Sequence, residues 1–67
     1  MTFAIRLKEL RENNLFSQKR LAEETGISSS AIARWELNQA QPNISAIITL
    51  ANFFGVTVDY LLGISEY

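Results

Sequence analysis

The chain has 67 residues, 48% of them hydrophobic, with six lysines and arginines against seven acids for a net charge of −1. That is apolar material for one small core, near the lower size limit for a chain stabilised without cross-links, so a single domain over residues 1–67 is expected. Cysteine and histidine are both absent, which excludes disulfides, thiol nucleophiles, the usual zinc ligands and the commonest general base.

A first helix is predicted over about 3–13. Phe3, Leu7 and Leu10 recur at steps of four and three, while Arg6, Lys8, Glu9 and Glu12 fall on other faces. Charges spaced this closely behind Met1 are unlike a signal peptide. Asn13 and Asn14 are turn formers that can close the helix. A second helix is predicted over about 18–25. Ser17 is placed to cap it, and Phe16 and Leu21 occupy the two positions of a hydrophobic staple. Leu21 and Ala22 face inward, and Gly26 supplies a left-handed stop with Ile27 as its apolar partner. Ser28 caps a third helix over about 29–37, with Ile32 and Trp35 three apart on its buried side. Ala22 suits two helices that cross steeply, because a small residue is needed where they approach. Two short helices around a tight turn at this spacing form a helix-turn-helix of the DNA-binding kind.

Residues 38–42 read as a polar loop, since proline disfavours helix for the residue before it, Gln41. Asn43 caps a fourth helix over about 44–54, with Ile44, Ile47, Leu50, Ala51 and Phe54 as its inward stripe. Gly55 and Val56 repeat the earlier stop. Thr57 then caps a last short helix over 58–62 that ends at Gly63, and the tail Ile64 to Tyr67 is too short to be a second module. The 22 uncharged residues between Glu36 and Asp59 are long enough to raise a membrane span. Pro42, Gly55 and five amide side chains within them argue for a loop and a buried helix instead. The fold class is therefore all-α, with no membrane segment expected.

Charge is uneven along the chain. Residues 1–34 hold all six bases and four acids, giving +2, whereas residues 35–67 hold three acids and no base, giving −3. The basic half is the half that carries the helix-turn-helix.

The run QKRLAEETGIS, the pair Trp35-Glu36, Pro42 and the ending GVTVDYLLG together resemble the Cro/lambda-repressor-like (XRE) helix-turn-helix family, from about Phe3 to Gly63. The resemblance implies a compact five-helix domain that places its third helix in the DNA major groove. It departs from the family at Leu15, where Gly or Asn is usual, so the turn is expected to shift onto Asn14.

A step of roughly 100° per residue puts Ile32, Trp35 and Glu36 on one side of the third helix. Ser30, Ala33, Arg34 and Leu37 take the other side, with Ser29 at its edge. The resemblance makes that second side the base-reading one. Arg34 has the donor fork for guanine, Ser29 and Ser30 can donate or accept, and Ala33 can touch a thymine methyl. Outside this motif the same pattern would be an ordinary solvated face. Gln18 opens the second helix, where free N–H groups and the positive dipole end suit a phosphate and the side chain can add a base or phosphate contact. Ser17, Lys19, Gln39, Gln41 and Asn43 are candidate phosphate contacts that position the protein mostly without adding charge. Arg11 and Glu36 resemble the family's structural ion pair, which sets the angle of the third helix; the alternative is two separate surface charges. Trp35 reads as core and not as a stacking platform.

Catalysis is not expected. Glu23 and Glu24 do not converge in a cleft, the serine run has no adjacent base, and the three glycines make no phosphate loop. The expectation is sequence-specific binding of a double-stranded DNA operator by a cytoplasmic transcriptional repressor or regulator of the phage Cro/repressor type. No cofactor, no metal and no small-molecule substrate are expected. Binding is expected as a homodimer, at least on DNA, through a C-terminal patch of Val58, Tyr60, Leu62 and Ile64, with recognition helices about 34 Å apart. The alternative is a protein-interaction module on the same fold, an antitoxin or an anti-repressor partner, which the acidic balance and few bases keep open.

Overall fold

A computed structural model describes residues 2–66; Met1, before the first predicted helix, and Tyr67, the last residue of the predicted tail, lie outside the described residues. The chain forms five helices, α1 (Thr2–Asn13), α2 (Gln18–Thr25), α3 (Ser29–Glu36), α4 (Ile44–Phe54) and α5 (Val58–Leu62), with no strand among the described residues. α1 packs on α3 and α5, α2 on α3 and α4, and α4 on α5. Each helix gives the shared core one aliphatic side chain with 0% exposure: Leu7, Leu21, Ile32, Leu50 and Leu61. Burying one such side chain is worth about 1.5–3 kcal/mol, and no single helix this short would hold its shape in water without that return. Trp35 belongs to the same core, its ring meeting Phe3 edge-on at 6.1 Å.

Four of the five helices begin with the same device. The side chains of Ser17, Ser28, Asn43 and Thr57 accept from the backbone N–H three residues on, at 3.0, 3.1, 2.8 and 3.0 Å. Each satisfies one of the four N–H groups that a helix start leaves without a partner. Gly26 ends α2 at φ 77°, the left-handed conformation that costs a residue without Cβ nothing. That sharp stop sets α3 off across α2.

Two expectations fail. The left-handed step after α1 falls on Leu15 itself, at φ 62°, and not on Asn14, whose side chain instead donates to the Leu10 carbonyl at 2.7 Å. The reason lies one residue on. Phe16 packs its ring against the edge of the core, 5.5 Å from that of the exposed Phe53, and its N–H closes the helix end on the Arg11 carbonyl at 3.0 Å. The residue directly before it therefore takes the reversal. Ile44 likewise does not join the inward stripe of α4. It is 74% exposed, and Ala46 is buried in its stead with Leu50 and Ala51, because the buried side is centred on Ile47, Leu50 and Phe54 and Ile44 sits at the edge of the first turn.

Candidate nucleic-acid interface

α3 is held from its inner side and open on its outer one. Ile32 and Trp35 anchor it in the core, while Ser29, Ser30, Arg34 and Leu37 are exposed and Ala33 is half-buried. Arg34 makes no ion pair among the described residues, so its fork of donors is free for a planar acceptor pair. Asn38 takes a left-handed φ of 60° just past α3, and the next N–H, of Gln39, closes on the Arg34 carbonyl at 2.8 Å. Asparagine tolerates this conformation better than most residues with a Cβ.

Behind α3 lies a bidentate ion pair. Arg11 donates from Nε to Glu36 Oε2 at 2.7 Å and from Nη2 to Oε1 at 2.9 Å, and from Nη1 to the Phe16 carbonyl at 2.8 Å. The two side chains are 11% and 4% exposed. The hydrogen bond to Glu36 outweighs burial and raises the Arg11 pKa above its ordinary value. A raised pKa means that this contribution to stability is complete below the unfolded-state value and fades only as pH climbs through the folded one, so Arg11 stays charged at every pH where duplex DNA is handled. The pair joins α1 to α3 and also fixes the loop that leads into α2.

Gln18, the first residue of α2, is half-buried and turned toward this pair, its Nε2 donating to Glu36 Oε1 at 3.1 Å. No spacing in the sequence announced that bond; the only hint was that a carboxylate has more acceptor sites than one arginine fills. The other candidate contacts, Ser17, Lys19, Gln39, Gln41 and Asn43, are all exposed. Ser17 and Asn43 give their side-chain oxygens to caps, which leaves the Ser17 O–H and the Asn43 amide N–H groups as donors.

The remaining cations divide. Arg20 pairs with Glu24 at 3.1 Å on the surface of α2. Arg6 lies 4.1 Å over the Tyr60 ring and donates to the Tyr60 carbonyl at 2.9 Å, a lock between α1 and α5 that nothing in the sequence signalled. At the C-terminal patch, Val58 and Leu62 are half-buried and pack on the core, Tyr60 is half-buried under Arg6, and Ile64 is 73% exposed. An open groove of about 370 Å³ lies between the α2–α3 turn and the start of α4; no charged side chain lines it, so it offers no acid–base chemistry. Among the described residues no group of three or more potential ligands could hold a metal ion, and no helix is long and apolar enough to cross a membrane.

Two capped helices around a left-handed glycine, the second locked from behind and polar in front, define a helix-turn-helix domain of the DNA-binding class. The helix-turn-helix family model matches residues 7–61, and the chain belongs to the Cro/lambda-repressor-like (XRE) helix-turn-helix family. It is 36% identical over 66 residues to the HTH-type transcriptional activator BcrR of Enterococcus faecalis, covering 98% of this chain and 32% of that protein. It is 33% identical over 66 residues to the HTH-type transcriptional regulator ImmR of Bacillus subtilis (strain 168), covering 98% and 52%. With the SPbeta prophage-derived uncharacterized HTH-type transcriptional regulator YonR of the same strain it shares 35% identity over 60 residues, covering 90% and 56%. The chain thus spans between about a third and just over half the length of these relatives. They are regulators and not enzymes by name.

Proposed function

We propose that the chain acts as one DNA-binding domain over residues 1–67, recognising a specific double-stranded operator and regulating transcription from it in the cytoplasm. The observation that carries this reading is the outer face of α3, where Ser29, Ser30, Ala33 and an Arg34 with no ion pair among the described residues stand on a helix clamped from behind by Arg11 and Glu36. Laid in the major groove, α3 brings Arg34 to a guanine edge and the serines to neighbouring bases. Gln18 adds a base or phosphate contact, and Ser17, Lys19, Gln39, Gln41 and Asn43 meet the sugar-phosphate backbone on either side. Arg11 and Glu36 set the angle of α3 and touch no base. There is no catalytic step and no cofactor or small-molecule substrate: occupancy of the site blocks or guides polymerase. The names of the relatives include an activator, so the direction of regulation is left with the operator's position.

Two copies bind a two-fold symmetric site. A half-site met by so few cations is held weakly, and doubling the contacts is the economical remedy. Ile64, 73% exposed beside Tyr60 and Leu62, is the natural centre of an isologous contact.

The second reading, a protein-interaction module such as an antitoxin or anti-repressor partner, draws on the acidic net charge. A gel shift on random-sequence duplexes at low salt, followed by site selection, separates the two. Enrichment of one symmetric sequence is expected. No retained duplex at 50 mM salt would leave the interaction module standing in its place.

A further inference from the structure

Gln18 and Glu36 lie 18 positions apart, yet Gln18 Nε2 donates to Glu36 Oε1 at 3.1 Å. Glu36 cannot follow a moving glutamine. Arg11 grips both of its oxygens, at 2.7 and 2.9 Å, and Arg11 is itself tied to the Phe16 carbonyl at 2.8 Å. An ionised carboxylate only accepts, so the amide must turn its NH2 side to Glu36 and its oxygen away. One of the two Nε2 hydrogens is thereby used, and the other stands beside the outward oxygen.

From this we infer that Glu36 is a positioning residue for DNA recognition, fixing the Gln18 amide in one orientation before DNA arrives. The inference rests on the reading of Gln18 as a DNA contact. A free glutamine at the start of α2 would lose its rotamer freedom on binding, and that loss subtracts from affinity. Here the side chain is already ordered by the ion pair behind α3, and the second N–H points one donor at an acceptor on DNA. Arg11 has a part in this as well, because its charge offsets a carboxylate that would otherwise face phosphates at close range. The pair that orients α3 thus also sets the contact made by α2, so the two halves of the motif are coupled through one side chain.

The test is a double-mutant cycle on a selected duplex, with each affinity corrected for the folded fraction read from thermal melts. Glu36→Gln is expected to weaken binding about 3- to 10-fold when Gln18 is present and to have no further effect in the Gln18→Ala background. A coupled loss equal on every duplex makes the partner a phosphate oxygen, and one confined to a single base pair makes it a base edge; both support the positioning role. Equal losses from Glu36→Gln in the two backgrounds would overturn it and leave Glu36 as a brace for α3 alone. Full affinity in Gln18→Ala overturns it too, without touching the reading of α3, which Arg34 tests separately. The unmodified protein gives an answer that needs no folded variant: a Gln18 side-chain amide order parameter near the rigid-backbone value of about 0.85 supports the inference, and one below about 0.6, as for a loose surface amide, overturns it.

Discussion

Single residues carry the strain of this domain and, in the proposed reading, its specificity. Arg34 is exposed on the outer side of α3 and makes no ion pair among the described residues, so in the proposed reading its guanidinium is the group on that face best suited to a base edge. Arg34→Ala is expected to cost about 1–3 kcal/mol on the selected site and to relax preference at one base pair. Equal weakening on cognate and scrambled duplexes, measured by fluorescence anisotropy, would reassign Arg34 to the phosphates. Arg11 and Glu36 make the opposite case, since their work is internal. Removing either leaves the other charged and nearly buried, which typically costs about 3–5 kcal/mol. In a domain this small such a loss is a large share of total stability, and melting temperatures equal to the parent for Arg11→Ala and Glu36→Ala would reduce the pair to ornament. Leu15 carries the strain. It sits at φ 62° with 92% of its surface exposed, so it bears the cost of a left-handed Cβ and gains no packing in exchange. Leu15→Gly removes that cost and adds the larger backbone entropy of glycine in the unfolded chain. The balance favours the variant by about 0.5–1 kcal/mol, to be read as a melting temperature several degrees higher. An unchanged or lower value would show that the leucine has a partner on the folded surface.

At the scale of elements, the helices are short enough that their ends decide them. α5 has five residues and is closed by Gly63, whose φ is 79° and whose missing Cβ would stand 2.6 Å from that of Thr2 at the start of α1. Gly26 has a similar φ, 77°, but open space around it. Alanine at Gly26 should therefore cost only the left-handed strain, about 1–2 kcal/mol, while alanine at Gly63 should cost that and the displacement of α1 from α5. Urea melts of the two variants order them; equal midpoints would mean that the α1–α5 contact yields freely. The Arg6 lock over Tyr60 sits at the same junction. It explains how a five-residue helix, too short to persist alone, keeps its place against α1.

For the whole molecule the deciding quantity is how many of its cations are left for DNA. Six were counted in the basic half, but Arg6, Arg11 and Arg20 are engaged with Tyr60, Glu36 and Glu24. Of the other three, Lys8 is exposed on α1, and only Lys19 and Arg34 lie on or beside the motif, which makes the domain less electrostatic than its sequence suggested. If those two meet phosphates or bases, the logarithm of the binding constant should fall with that of salt concentration with a slope of about 2 per copy, or about 4 for a dimer on a symmetric site. Titrations from 50 to 200 mM salt give the slope, and sedimentation on half-site and full-site duplexes gives the stoichiometry. A slope of 2 with strictly one protein per full site rules out the dimer.

Most of the fold was readable from the chain because its signals are local. A helix stripe, a capping serine with the N–H three residues on, and a glycine stop each involve a handful of neighbouring residues, so the five helices and their caps at Ser17, Ser28, Asn43 and Thr57 follow from short-range rules. The polar outer face of α3 was legible for the same reason, as a period of 3.6 read along eight residues. What tertiary structure alone decided is where distant parts compete for the same space or the same acceptor. Leu15 is left-handed because Phe16 must reach Phe53, and Ile44 is exposed because α4 is rotated by its other contacts. Gln18 finds Glu36 across 18 residues, and Arg6 finds Tyr60 across 54. No periodicity links such positions: a side chain's local pattern sets the face it occupies, and only the packing of five helices around one core determines which other face it meets.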